Sequence, residues 1–227
     1  MLLQALGDSF SCGEGVGVNV PLERTWVGLL AEALGAEHRS YAVPGARVGD
    51  VLATQLPQAG HADVSTLLVG LNDLVRPGFD AGRVADELRG LTCSLRALSP
   101  VLVVARLHDP MTVLWLPPMA RRVVGRRLAL VNAAIDAATT ESSGVTVVDL
   151  ARVPELARPS GWAVDRVHPS ERGHAAIASQ AAQLLAMPGR IAVPGDQAPG
   201  PTARLRWAAT HGAPYLLGQL SGWLLPG

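Results

Sequence analysis

The sequence has no lysine: all 19 of its basic side chains are arginine, balanced by 19 acidic residues. With zero formal net charge the chain carries no field to gather a polyanion, and nucleic acid is not an expected partner. The missing lysine is a compositional bias, since no single site requires it. Only two cysteines occur, Cys12 and Cys93. Two cysteines make neither a disulfide framework nor a metal-ligand spacing. Cys93 is expected to fill a helix face as a small apolar group, while Cys12 lies three residues after Ser9. No uninterrupted run of about 18 apolar residues is present, so a membrane-spanning helix is not expected. A secretory signal needs a basic start and about 7–15 apolar residues. Here a short apolar run leads straight into Gly7-Asp8-Ser9, and a cytoplasmic location is the expectation. Internal repeats and low-complexity tracts are also absent.

What the chain does hold is apolar material, 48% of its 227 residues, enough for one substantial core. Short apolar runs at 2–6, 40–43, 66–69, 101–107 and 145–148 read as buried strands. Between them lie helical patterns: 25–34 with Thr25 as cap, 48–56 stopped by Pro57, 80–98 capped by Asp80, and 119–139. A last helix is expected over 171–185, with Ala176, Ile177, Gln180, Ala181 and Leu184 along one side. Five strands alternating with helices argue for one parallel sheet covered on both faces. Ligands bind such sheets outside the carboxyl ends of the strands. Ser9, Gly45, Asn72 and His108 each follow an expected strand and so converge on one edge.

Three segments are expected: a domain over 1–186, a Pro/Gly-rich linker over 187–202, and an apolar helical extension over 203–227. The uncharged stretch 215–225 of the extension suits packing on the domain, a homodimer contact, a peripheral membrane contact or a cap over the site. Arg121, Arg122, Arg126 and Arg127 cluster on one helix and are expected on its solvated face. The apolar stretch 113–118 is a candidate wall or lid.

The first dozen residues organise the rest. A strand breaks at Gly7, presents Asp8 and Ser9, and turns through Gly13 and Gly15 toward a helix. A serine there is inert without a base and donors for a developing oxyanion. Asp165-Arg166-Val167-His168 offers a base, with a carboxylate three residues away to fix the imidazole tautomer. Asn72 and the backbone at Gly45 offer donors; an Asx turn and a positive φ are the alternative readings of these two. His108 is a candidate substrate contact in the acyl pocket, and His174 a structural residue.

Gly7-Asp8-Ser9-Phe10-Ser11, Gly45, Gly70-Leu71-Asn72-Asp73 and Asp165-Arg166-Val167-His168 stand in the order of the four sequence blocks of the SGNH (GDSL) hydrolases. The resemblance covers about residues 2–186. It implies a three-layer α/β/α sandwich with a flavodoxin-like, parallel five-stranded sheet, and ester hydrolysis or acyl transfer without metal or cofactor. By matching position it implies Ser9 as nucleophile, His168 as base and Asp165 as its orienting carboxylate. The N–H of Ser9, the N–H of Gly45 and the Asn72 side chain would form the oxyanion hole, and Asp8 and Asp73 would hold loops together. The expected substrate is a small-molecule acyl ester or thioester. An acyltransferase or thioesterase using the same residues, and a non-catalytic ligand-binding module on this scaffold, are the alternatives.

Overall fold

The computed structural model describes residues 1–114, 116–140, 142–187 and 191–214. Its central sheet has five parallel strands: β1 (Leu2–Gly7), β4 (Glu37–Ser40), β5 (Val64–Leu68), β6 (Val101–Arg106) and β7 (Val145–Asp149). Their order is β4-β1-β5-β6-β7, that is 2-1-3-4-5 among the sheet strands, the flavodoxin-like arrangement. The remaining pair, β2 (Glu14–Gly15) and β3 (Val18–Asn19), forms a separate antiparallel hairpin.

Helices cover both faces. α1 (Ser9–Cys12) is a single turn after β1, and α2 (Trp26–Leu34) packs with α7 (Glu171–Leu184). On the other side, α3 (Val48–Asp50) packs on α5 (Ala81–Leu98), which packs on α6 (Pro118–Thr140). α4 (Leu71–Val75) follows β5, and α8 (Pro201–Trp207) lies beyond the sandwich. β5 shows why the sheet is central: all five of its residues are buried, as a strand covered on both faces requires.

Local capping agrees with the pattern. Thr25 accepts from Gly28 N–H, Asp80 from Arg83 N–H and Ser170 from Gly173 N–H, each occupying an otherwise orphan donor. Among the described residues, no helix is long and apolar enough to cross a membrane.

Several expectations are corrected. The second sheet strand is Glu37–Ser40 rather than 40–43; its residues alternate between exposed and half-buried, as suits an edge, so no apolar run marks it. The segment 48–56 is not one regular helix. It widens at Val51–Gln55 into a π-type turn. Cys93 is exposed, because α5 buries Val84, Leu88, Leu91, Thr92 and Leu95 and leaves position 93 off that stripe. Leu184, in the last turn of α7, is 47% exposed.

Candidate active site

The order 2-1-3-4-5 reverses direction between β1 and β5, and at such a switch point the loops diverge to leave a crevice at the carboxyl ends. Ser9 leaves β1 and Asn72 follows β5, so both stand at that crevice. Gly7 permits the first departure: its φ is +146°, and a Cβ there would collide with Leu68 O of β5. The wide turn at Val51–Gln55 supports the same point from outside the sheet. Gln55 donates to Gly7 O at 2.8 Å and accepts from Gly7 N–H at 2.9 Å.

His168 Nε2 stands 2.9 Å from Ser9 Oγ, and His168 Nδ1 stands 2.6 Å from Asp165 Oδ2. A carboxylate only accepts, so Nδ1 carries the proton and Nε2 presents its lone pair to the serine hydroxyl. Asp165 is itself fixed. Its Oδ1 accepts the N–H groups of Val167 and His168 at 2.9 and 3.0 Å. This tight loop sets Arg166 at φ 58°, a left-handed conformation unusual for a side chain with a Cβ. Ser9 and Asp165 are buried, while His168 keeps partial access to solvent.

The other arm is built from more distant parts. Gly45 has φ +77° and lies beside Arg76 Nη2. Among the described residues, neither the Gly45 N–H nor the Ser9 N–H has a hydrogen-bond acceptor. Asn72 Nδ2 donates to Ala46 O at 3.1 Å and to Asp8 Oδ2 at 3.3 Å. Asp8 also accepts the Phe10 N–H at 3.0 Å. Burial pushes the Asp8 carboxyl up to about 7, against the pull of the Phe10 and Asn72 hydrogen bonds. Asp73 Oδ2 accepts the Val48 N–H at 3.2 Å, and burial raises its carboxyl to about 6.

His108 lies behind the site rather than on its surface. It is 4% exposed, both ring nitrogens are buried without a partner among the described residues, and burial depresses its pKa to about 4. It packs with Trp162 (centroids 4.6 Å apart) and Phe10 (5.9 Å), and Phe10 in turn lies 6.1 Å from His168. This neutral aromatic wedge backs the imidazole. His174 is buried too; its Nδ1 accepts the Trp26 N–H at 3.2 Å and so caps α2.

Arg121, Arg122 and Arg126 are exposed, as expected, but Arg127 turns inward to donate to Leu74 O and Arg76 O and lies over Phe79. Val113, Leu114 and Leu116 are half-buried, and Trp115 lies outside the described residues. Cys12 is half-buried. No group of three metal-ligating side chains occurs among the described residues. Sequence reasoning missed the β2–β3 hairpin, whose Gly15 packs on the His168 ring. Its signal was the spacing of Gly13, Gly15 and Gly17 around a two-residue turn.

Comparison with known proteins bears on this arrangement. The model of the GDSL-like lipase/acylhydrolase family matches residues 5–176. Among solved structures, the psychrotrophic esterase EstA from Pseudoalteromonas sp. is similar with TM-score 0.61 and 16% identity, over 82% of this chain and 96% of that one. A lipolytic G-D-S-L family protein from Veillonella parvula gives 0.61 and 19%, over 81% and 97%. The acetylxylan esterase Axe2 from Geobacillus stearothermophilus gives 0.57 and 20%, over 81% and 93%. At such identities the likeness is one of fold. No curated protein matches the chain.

Proposed function

The chain belongs to the GDSL-like lipase/acylhydrolase family and is a carboxylic ester hydrolase, and on that premise we propose that Ser9, His168 and Asp165 carry out hydrolysis through an acyl-enzyme. The observation that supports this reading is the unbroken line from Asp165 Oδ2 to His168 Nδ1 and from His168 Nε2 to Ser9 Oγ, at 2.6 and 2.9 Å.

His168 Nε2 takes the Ser9 hydroxyl proton as Oγ bonds to the ester carbonyl carbon. The carbonyl electron pair moves onto oxygen and meets the N–H groups of Ser9 and Gly45, which lack other acceptors among the described residues. Asn72 Nδ2 supplies the third donor when rotation of its carboxamide exchanges the longer bond, 3.3 Å to Asp8, for one to the oxyanion. When the intermediate collapses, the ester C–O bond breaks and the leaving oxygen takes the proton from His168. Water then attacks the acyl-Ser9 ester with the same base, releasing the acid and restoring the hydroxyl.

The substrate class is a small or medium acyl ester, as the names of the similar esterases suggest. A fluorophosphonate probe should label the wild-type protein and fail to label Ser9→Ala. That variant should lose turnover of p-nitrophenyl acetate by about 10³-fold or more while keeping its melting temperature. A labelled or active Ser9→Ala protein would overturn the assignment.

A further inference from the structure

Past the end of the family match at residue 176, the described chain returns to the active site. Residues 191–200 have no regular structure, after which α8 and the wide turn Ala208–Gly212 lie against the β2–β3 hairpin. Most of α8 faces solvent, with Leu205 72% exposed. Its Trp207 side chain reaches the hairpin. Trp207 Nε1 donates to Val16 O, in the turn of the hairpin, at 2.6 Å. Gly212 closes on the indole, where a Cβ would come within 2.8 Å of Cζ3. The His211 ring rests on Gly17, where a Cβ would lie 2.5 Å from two ring carbons.

Gly15, the residue before Val16, rests on the imidazole. A Cβ at Gly15 would lie 2.6 Å from Cε1 and 2.8 Å from Cγ of His168. Indole, hairpin turn and imidazole are therefore linked by one continuous run of contacts. The hairpin has two residues in each strand, and an isolated two-stranded ribbon is marginal even when longer. Its position must be imposed from outside. The two in-plane hydrogen bonds of His168, to Asp165 and Ser9, fix the ring along its own axis but leave its tilt to whatever packs on its faces.

We propose that Trp207 is a positioning residue for the reaction: by pinning the hairpin turn it keeps the Gly15 backbone on the His168 ring and holds Nε2 toward Ser9 Oγ. The proposal rests on the reading of His168 as the base. It makes the segment after the family fold a clamp on the catalytic centre, with the indole hydrogen bond as its tie to the hairpin turn.

The test uses the full chain carrying Trp207→Phe, which keeps the ring and removes the N–H donor, Trp207→Ala, and Leu205→Ala as a control on the same helix. Hydrogen exchange of residues 13–20 should quicken in Trp207→Phe and further in Trp207→Ala. On p-nitrophenyl acetate, kcat should fall by about threefold and about tenfold respectively, with KM held within about twofold. Leu205→Ala should match the wild type in both measurements. Unchanged exchange in both Trp207 variants would overturn the clamp. Faster exchange with unchanged kcat would leave Trp207 a purely structural residue and equally overturn the proposal. Exchange reads the clamp without turnover, so fluorophosphonate labelling at a residue other than Ser9 would separately sink the reading of Ser9 as nucleophile with His168 as its base.

Discussion

The two arms of the site are built on different principles. The Asp165–His168 arm is local: the pair stands three positions apart, and Asp165 also holds the backbone of its own loop. The Asn72 arm is a tertiary cross-link, with one side chain bridging the loop after β1 and the loop after β4 through Asp8 and Ala46. A local arm can be stripped of its chemistry without harm to the fold, whereas a cross-linking arm cannot. That contrast orders the variants.

Asp165→Asn should be the most damaging to rate and among the mildest to stability. Its Oδ1 still accepts the two N–H groups, while an amide facing Nδ1 forces the wrong imidazole tautomer. We expect kcat to fall by about 10⁴-fold with the denaturation midpoint nearly unchanged, as read by steady-state kinetics beside urea unfolding. Asn72→Ala reverses the balance. Loss of one oxyanion donor should lower kcat by about 10²–10³-fold. The buried Asp8 oxygen it leaves without a donor should cost about 1–3 kcal/mol of stability. Equal midpoints for the two variants would erase the distinction between the arms.

The smallest effects lie in pH dependence. Asp8 holds its proton up to about pH 7 in the fold but only to about 3.8 as an ordinary carboxyl. Between those values the native state binds more protons than the unfolded chain, so stability falls as pH rises. His174 acts oppositely. Burial lowers its pKa from 6.5 to about 3, so the unfolded chain binds the extra proton and stability rises with pH across that window. The two groups offset each other between about pH 4 and 6.5. Asp8→Asn should therefore gain on the wild type by at least about 1 kcal/mol between pH 4.5 and 7.5. His174→Gln should gain on it toward pH 4.5, although its cap on Trp26 is weakened. Parallel stability–pH curves for wild type and both variants would show that neither group carries the shift.

The same contrast explains what was legible in the sequence. Asp165 and His168 stand three apart in one loop, a weak signal alone that gains weight from its place between the last strand and the last helix of a chain opening with Gly7-Asp8-Ser9. The edge strand was displaced because Glu37–Ser40 is polar, while the backbone of Tyr41 and Val43 still bonds to β1 beyond the ladder. Asn72 could be placed at the crevice from its position after β5, but its partners are set by the tertiary fold and could not be read. The role of Gly15 was hidden for a related reason. A glycine declares that something comes close, and only the fold says that the neighbour is an imidazole. Burial of His108 and His174 likewise depends on neighbours far along the chain.

Gln55 brings out a last consequence. Its carboxamide both gives to and takes from the peptide of Gly7, matching donor to acceptor as an adjoining polypeptide would. The end of β1 is thus closed by a side chain as well as by backbone, since the Val43 N–H reaches the same Gly7 carbonyl. Two residues past Val43 the chain has left the sheet, and among the described residues the Gly45 N–H has no acceptor.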